Sequence, residues 1–218
     1  MAKPRYRICL VDDDAAFCAS FRLAAKAAGF ETVSFGSAQE FFSDFDPTKV
    51  FCLVLDIRLP GMSGLELQEV LRARKTHVPI IILTGHADIP MAVQAMKNGA
   101  LDFLEKPFTL DDLKGRLHQA YELYVAWQKV EQERQRIADR LALLTPRELQ
   151  VFGLMADGMK NIAIARQLGI SRKTLDIHRT KVIDKLKART WADLARWRLL
   201  HESGPGGAVT IKAGSYIS

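Results

Sequence analysis

The sequence lacks any long hydrophobic run, since no apolar stretch approaches the roughly 18 residues that a membrane-spanning helix requires. The apolar stretch at residues 8–11 is short and is followed at once by three aspartates, a pattern unlike a secretory signal. Cysteine is also scarce, with three residues and no metal-ligand spacing, which indicates reduced thiols in a cytosolic protein. We therefore expect a cytoplasmic protein without a membrane segment.

Charge is distributed unevenly along the chain. Hydrophobic residues make up 48% of the sequence, which excludes disorder for most of it, and the net charge is +6. Residues 1–120 contain 14 lysines and arginines against 15 acids, whereas residues 121–218 contain 17 against 10. We interpret this as two domains, of which the basic one faces a polyanion; a solvated basic surface is the alternative.

The first half alternates short apolar runs with helical patterns. The predicted strands are residues 7–11, 31–35, 51–55, 79–83 and 101–104, with helices between them. Because parallel strands need crossover connections, this order predicts a doubly wound, flavodoxin-like, five-stranded parallel sheet over residues 1–120. Ligands of such sheets lie at the carboxyl ends of the strands.

Polar residues collect at those strand ends, where each alone would be an ordinary loop residue. They are Asp12 and Asp13 after the first strand, Asp56 after the third, Thr84 at the fourth and Lys106 at the fifth. Three neighbouring carboxylates repel each other unless a cation is present, and oxygen ligands favour Mg²⁺. We predict that Asp56 is a nucleophile that forms an acyl phosphate, and that Lys106 and Thr84 contact the transferred group.

Five motifs in the first half match a known family. They are Val11-Asp12-Asp13, Leu55-Asp56, Pro60-Gly61-Met62-Ser63-Gly64, Leu83-Thr84-Gly85-His86-Ala87 and Glu105-Lys106-Pro107-Phe108. The first half thereby resembles the receiver domain of bacterial response regulators over its full length, and residues 84–108 resemble the FixJ subgroup most. The resemblance implies that Asp56 is the phosphoacceptor, that Asp12 and Asp13 bind the metal, and that Thr84 and Lys106 bind the phosphate. It also makes Phe103 the aromatic switch residue.

Two further residues are predicted to tune the lifetime of the phosphate. Arg58 lies two residues after Asp56, and His86 lies two after Thr84, so both would overhang the phosphorylated carboxylate; exposed side chains are the alternative. Phosphatases that form an aspartyl phosphate need a second acid two residues after the nucleophile. Because Arg58 stands there, we expect a phosphate-accepting regulator and not an enzyme.

A helical linker is predicted for residues 121–143. Its apolar residues are spaced three and four apart, as in a heptad repeat interrupted at Arg134. The stripe consists of Leu123, Trp127, Val130, Ile137 and Leu141. Such a helix either packs on its own domains or pairs with a second copy, and we expect the second arrangement, a homodimer.

Residues 144–201 show four helical patterns. Thr145, Pro146 and Glu148 form a helix start with a capping residue, and Ser171 caps the third helix. Two helices joined by a short glycine-containing turn are typical of a helix-turn-helix. Residues 202–218 are rich in glycine and serine and are predicted to form a flexible tail.

The third of these helices has an inner and an outer face. Leu175, Val182 and Leu186 lie on the inner face, whereas the outer face combines an exposed isoleucine with donors and cations, as suits a DNA major groove. Arg172, Lys185 and Arg189 are placed for phosphates. The predicted DNA contacts are Arg172, Lys173, Thr174, Ile177, Thr180, Lys181, Lys185 and Arg189.

This segment also matches a known family. The motifs are Leu144-Thr145-Pro146-Arg147-Glu148, Gly158, Asn161, Ile164-Ala165, Leu168-Gly169-Ile170-Ser171, Thr174-Leu175, His178-Arg179 and Lys185-Leu186. It resembles the LuxR-type helix-turn-helix, the output domain of the NarL/FixJ class of response regulators. Ile162, Ala163 and Asp176 depart from the common pattern and leave the operator sequence open.

The two resemblances together imply a two-component regulator of transcription. Its partners would be a sensor histidine kinase, double-stranded DNA, RNA polymerase and a second copy of the chain, with Mg²⁺ as cofactor. Two alternatives remain at this point: the basic domain binds RNA or protein, or DNA binding is independent of phosphorylation.

Overall fold

The structure is a computed structural model that describes residues 7–85 and 89–202, without the side chain of Ile89. The chain divides into two compact units, the first ending at Trp127 and the second beginning at Gln128. His86 and the predicted tail from residue 203 onward lie outside the described residues. In these ranges no helix is both long enough and apolar enough to cross a membrane.

The first unit alternates strands and helices, as predicted. Its elements are β1 (Arg7–Val11), α1 (Ala15–Ala27), β2 (Glu31–Phe35), α2 (Ala38–Asp44), β3 (Val50–Asp56), α3 (Gly64–Ala73), β4 (Ile80–Thr84), α4 (Ile89–Lys97), β5 (Asp102–Glu105) and the first part of α5 (Leu110–Leu141). The strands form one parallel sheet in the order β2-β1-β3-β4-β5. The predicted doubly wound sheet is confirmed.

Both faces of the sheet are buried because successive strand residues point to opposite sides. Cys9, Val11 and Leu55 face a core that α2, α3 and α4 complete. Leu10 and Val54 face a second core, formed with α1 and the first part of α5. All these residues are fully buried, which explains why their strands are almost continuously apolar.

The strand order places one pair of strand ends at the reversal point of the sheet. The chain runs from β1 outward to β2 and returns across β1 to β3, so that β1 and β3 are neighbours at the topological switch point. Val11 pairs with Leu55, which brings the residues after β1 beside the end of β3. This register positions the candidate site.

The second unit is all-helical. It contains the end of α5, then α6 (Pro146–Ala156), α7 (Asn161–Leu168), α8 (Arg172–Leu186) and α9 (Trp191–Glu202), which match the four predicted helices. Thr145 and Glu148 form the predicted capping box, and Gly169 ends α7 in the left-handed conformation. Leu175, Val182, Leu194 and other apolar residues from all five helices share one core.

Gly64 begins α3 directly against the end of β3. Its backbone N–H donates to Ile57 O at 3.0 Å, and a Cβ here would lie well inside contact distance of the Asp56 carbonyl oxygen. Only glycine therefore allows α3 to start this close to the strand that carries Asp56.

We expect Gly64→Ala to lower the free energy of unfolding of the first unit by about 1–3 kcal/mol, because the backbone must move to admit the methyl group. Gly115→Ala is the matched control, since Gly115 is exposed on α5 with open space around it. That control should gain about 0.5–1 kcal/mol from helix propensity. Urea titrations of both variants measure these changes. If the free energy of unfolding changed by the same amount and in the same direction in both, the close approach of α3 to β3 at Gly64 would be contradicted.

Candidate functional site

Four predicted site residues meet at the carboxyl edge of the sheet. Asp12 follows β1, Asp56 ends β3, Thr84 ends β4 and Lys106 follows β5. Asp56 pairs in register with Leu83, and Thr84 pairs with Glu105, so neighbouring strands end at the same level. The parallel register therefore brings together four of the five predicted strand-end residues.

The Lys106 ammonium holds two carboxylates at once. Its Nζ lies 2.6 Å from Asp12 Oδ2 and 2.7 Å from Asp56 Oδ1. The Asp12 side chain is 1% exposed and that of Asp56 is 13% exposed, so this pairing takes place largely away from water. One cation shared by two buried carboxylates leaves the group with a net negative charge.

The remaining carboxylate oxygens are held by backbone donors. Asp12 Oδ1 accepts from the Asp14 N–H at 3.0 Å, and Asp56 Oδ2 accepts from the Arg58 N–H at 2.7 Å. The Phe17 ring lies 4.1 Å from the ammonium of Lys106 and closes one side of the group. Lys106 and the Arg58 N–H together fix the orientation of the Asp56 carboxylate.

Burial and pairing act on the pKa values in opposite directions. Burial raises the pKa of Asp56 above its ordinary value, although the hydrogen bond and charge of Lys106 oppose the rise. For Lys106, burial alone would lower the pKa, but the hydrogen bonds to Asp12 and Asp56 outweigh it, and the pKa is raised. A partly desolvated carboxylate beside a fixed cation suits a nucleophile that takes up an anion.

Three of the predicted switch and tuning residues, Thr84, Phe103 and Arg58, are among the described residues. Thr84 is buried, and its hydroxyl donates to Gly85 O at 3.0 Å, so its single proton is not directed at Asp56. The Phe103 side chain is 39% exposed on β5, and the Phe103 carbonyl accepts from Arg116 Nε at 2.8 Å. Arg58 is an exposed residue.

The predicted metal ligands are only partly brought together. Asp12 and Asp56 share Lys106, whereas Asp13 is exposed. Among the residues described, no three His, Cys, Asp or Glu side chains are grouped closely enough to hold a metal ion. The donors are nevertheless all carboxylate oxygens at the site of a buried negative charge, and this chemistry fits Mg²⁺.

In the second unit, the turn between α7 and α8 presents one face of α8 outward. Leu175, Val182 and Leu186 are fully buried beneath it, as predicted. Ile177 remains 50% exposed on the opposite side. The exposed residues on this outer face are Lys173, Ile177, Thr180, Lys181 and Asp184. A single exposed isoleucine among donors and cations is the pattern expected of a helix that reads a groove.

The predicted phosphate contacts differ in their surroundings. Arg172 and Arg189 are exposed, whereas the Lys185 ammonium lies 2.7 Å from Glu148 Oε2. His178 lies on the same helix, α8. Its ring is half-buried, but Nδ1 has no hydrogen-bond partner within the described part of the chain.

The linker stripe is shared between the two units. Trp127 packs against the core of the first unit and stacks on His77, with 5.2 Å between the ring centroids. Ile137 and Leu141 are 2% and 4% exposed inside the core of the second unit. Leu123, Trp127 and Val130 are half-buried, whereas Ile137 and Leu141 are covered by their own unit and are not open to a second copy in this conformation.

Comparisons with known proteins find a family match in each half of the chain. Residues 8–118 match the response regulator receiver domain, and residues 142–198 match the luxR family of bacterial regulatory proteins. The chain is 40% identical to the transcriptional regulatory protein FixJ of Bradyrhizobium diazoefficiens over 87% of its own length and 92% of that protein.

The chain belongs to the NarL/FixJ class of response regulators. Another relative, the C4-dicarboxylate transport transcriptional regulatory protein DctR of Rhodobacter capsulatus, is 37% identical over 88% of this chain and 98% of that protein. The solved response regulator StyR superposes with a TM-score of 0.75 at 38% identity, covering 89% of this chain and 98% of that one. As a member of this class, the protein is a phosphorylation-controlled regulator of transcription.

Two contacts of this response regulator were not predicted from its sequence. The position of Phe17 over Lys106 joins α1 to the loop after β5, and the pair of Lys185 with Glu148 joins α8 to α6. The capping-box pattern did identify Glu148, but nothing local in the sequence relates it to a lysine 37 residues away.

The Glu148 carboxylate gives a pH-dependent contribution to stability. The hydrogen bond from Lys185, followed by that from the Thr145 N–H, lowers the pKa of Glu148 from 4.5 to about 2. A carboxyl group whose pKa is lower in the folded than in the unfolded protein stabilises the fold at any pH above its unfolded-state pKa. This contribution is lost as the pH falls from the unfolded-state pKa through the folded-state pKa.

We therefore expect the free energy of unfolding of the second unit to fall between pH 4.5 and about 2 through Glu148. Glu148→Gln should flatten this part of the profile and lower stability at pH 7, where the charged pair is complete. Chemical unfolding from pH 7 to pH 2 measures the difference. A control, Glu122→Gln on an exposed residue of α5, should leave the profile unchanged.

Proposed function

We propose that Asp56 is the phosphoacceptor of this response regulator. The observation that carries the proposal is the Lys106 ammonium between Asp12 and Asp56, at the switch point of the sheet. A carboxylate oxygen of Asp56 attacks phosphorus, and the bond between phosphorus and the donor, a phosphohistidine of a sensor kinase, breaks. The product is an acyl phosphate.

The residues around Asp56 then have distinct tasks. Lys106 holds one of the phosphoryl oxygens as a point charge, because its ammonium already lies at hydrogen-bond distance from Asp56. The Thr84 hydroxyl breaks its hydrogen bond to Gly85 O and donates to another of these phosphoryl oxygens. Mg²⁺ held by Asp12, Asp13 and Asp56 would neutralise charge on the incoming group.

Signal output requires that this local change reach the rest of the molecule. Thr84 and Phe103 lie on the neighbouring strands β4 and β5, where Phe103 pairs with Ile82, two residues before Thr84. Movement of the Thr84 hydroxyl opens space beside β5, and the exposed Phe103 ring turns inward to fill it. Arg58, two residues after Asp56, and His86, two residues after Thr84, set how readily water reaches the phosphate.

We further propose that α8 enters the major groove of duplex DNA. Ile177 contacts thymine methyl groups, while Lys173, Thr180 and Lys181 reach base edges or phosphates from the same exposed face. Thr174, Arg172 and Arg189 contact the backbone, which fixes the register of the helix on the duplex.

Phosphorylation favours a homodimer in this proposal. Two copies would set their α8 helices on half-sites about one helical turn of DNA apart. Leu123 and Val130 are the half-buried members of the linker stripe that can meet a second copy without opening either core. RNA polymerase is the partner through which such a dimer changes transcription.

The phosphoacceptor assignment is tested by Asp56→Asn, which should abolish the mass gain of one phosphoryl group on incubation with acetyl phosphate and Mg²⁺. The amide keeps the size of the side chain but removes the nucleophilic oxygen. Asp46→Asn, at a half-buried carboxylate paired with Lys49, is the control and should be phosphorylated as the wild type is. Full phosphorylation of Asp56→Asn would place the acceptor elsewhere.

The groove-reading role of Ile177 is tested by Ile177→Ala. Loss of the methyl contacts should weaken binding to a selected operator by about 1–3 kcal/mol and leave binding to unrelated duplex unchanged. Ile183→Ala, on the flank of the same helix and 38% exposed, should change neither. Fluorescence anisotropy on both duplexes supplies the measurement, and an equal loss on the two would refute base reading by Ile177.

A further inference from the structure

The ends of α5 and α8 each leave carbonyl groups without donors from their own helix. Arg140 of α5 donates its Nη1 to the carbonyl of Leu186, the last residue of α8, at 3.1 Å. Lys185 of α8 donates its Nζ to the carbonyl of Leu143, just beyond the end of α5, also at 3.1 Å. Each helix therefore supplies the cation that caps the other.

Both cations are at the negative end of the helix that they cap. Cations near a helix C-terminus are favoured by the aligned peptide dipoles, so the two caps add charge attraction to their hydrogen bonds. Lys187 follows α8 in the left-handed conformation, which ends the helix at the carbonyl that Arg140 contacts. The arrangement fixes where α8 stops relative to α5.

The Lys185 ammonium has a second, charged partner. Glu148 Oε2 lies 2.7 Å away, on a side chain that is 4% exposed, and accepts from the Thr145 N–H at 2.9 Å as well. Without Lys185 this nearly buried carboxylate would lose its only cation among the described residues, which is costly. Lys185 therefore joins α8 to α6 and to the end of α5.

Arg140 is likewise held from two sides. Its guanidinium lies over the Trp197 ring of α9, 5.5 Å from the centroid. Ile137 and Leu141, on either side of it in sequence, are buried in the core of this unit. The last turns of α5 are thus part of the fold that carries α8.

Lys181 provides the contrast on the same helix. It is exposed beside Ile177, and no ion pair or hydrogen bond to its side chain occurs among the described residues. Lys185 lies one turn further on and already satisfies a carboxylate and a carbonyl. Two of the three N–H donors of the Lys185 ammonium are therefore taken, and its charge is balanced by Glu148.

We propose that Lys185 and Arg140 are positioning residues, which hold the recognition helix α8 against the end of the linker helix, and that Lys185 neutralises no DNA phosphate. The inference rests on the proposed function, binding of duplex DNA by α8. It replaces the phosphate contact predicted for Lys185 from the sequence.

The test compares Lys185→Met and Arg140→Met with Lys181→Met in the full chain. The probe is a duplex selected by the wild-type protein from random sequence, and Kd is measured at several salt concentrations beside thermal unfolding of each variant. Lys185→Met and Arg140→Met should each weaken binding about tenfold, with an unchanged slope of log Kd against log salt. Their melting temperatures should fall by at least about 5 °C.

Lys181→Met should behave in the opposite way. It should lower the salt slope by about 1 and leave the melting temperature unchanged, because an exposed phosphate contact contributes charge and no packing. If Lys185→Met is unfolded at the assay temperature, Arg140→Met decides, since it touches the same junction from outside α8.

Two outcomes would refute the inference, and a third would refute the proposed function on which it rests. A salt slope that falls by about 1 in Lys185→Met makes this residue a phosphate contact, whatever its melting temperature. Unaltered affinity in both Lys185→Met and Arg140→Met shows that the junction does not position α8. Failure of the wild type to select any duplex refutes the proposed DNA function itself, and so is distinguished from the other two.

Discussion

The first unit depends on one ammonium shared by two carboxylates. Lys106 reaches Asp12 and Asp56 at 2.6 and 2.7 Å, in a place where burial has raised the pKa of Asp56. Two acids held by one cation leave a negative charge that burial disfavours. Under the proposed function, a further cation and then the phosphoryl group would replace this internal pairing. The proposed reactivity of Asp56 follows from this imbalance of charge.

The imbalance is sustained by the apolar sheet beneath it. Strands β1 and β3 are buried on both faces, and this burial fixes their register because a slip of one residue would turn every side chain to the wrong core. The register in turn sets Asp12 beside Asp56, and Gly64 lets α3 begin without displacing the end of β3. Packing in the core of the sheet therefore determines the distance between the Asp12 and Asp56 carboxylates at the edge of the sheet.

Features that depend on local sequence patterns could be predicted from the sequence alone. The strands, the helices, the capping box at Thr145 and the inner face of α8 each have a periodicity or a capping residue that reveals them. Contacts between distant segments have no such signal. Lys185 and Glu148 are 37 residues apart, and on a helical wheel Lys185 resembles any exposed basic residue of a DNA-binding helix. The apolar heptads of α5 were equally ambiguous, because Ile137 and Leu141 fit a partner helix as well as their own core.

The cations of α8 must therefore be divided by their partners and not by their position on the helix. A lysine that holds a nearly buried carboxylate contributes to the fold in every state of the protein, whereas a lysine in water contributes only when a polyanion arrives. Lys185 belongs to the first group and Lys181 to the second. This division has a physical advantage for a DNA-binding helix. The residues that position the helix do not also have to contact DNA, so the orientation of the helix is set before the duplex binds.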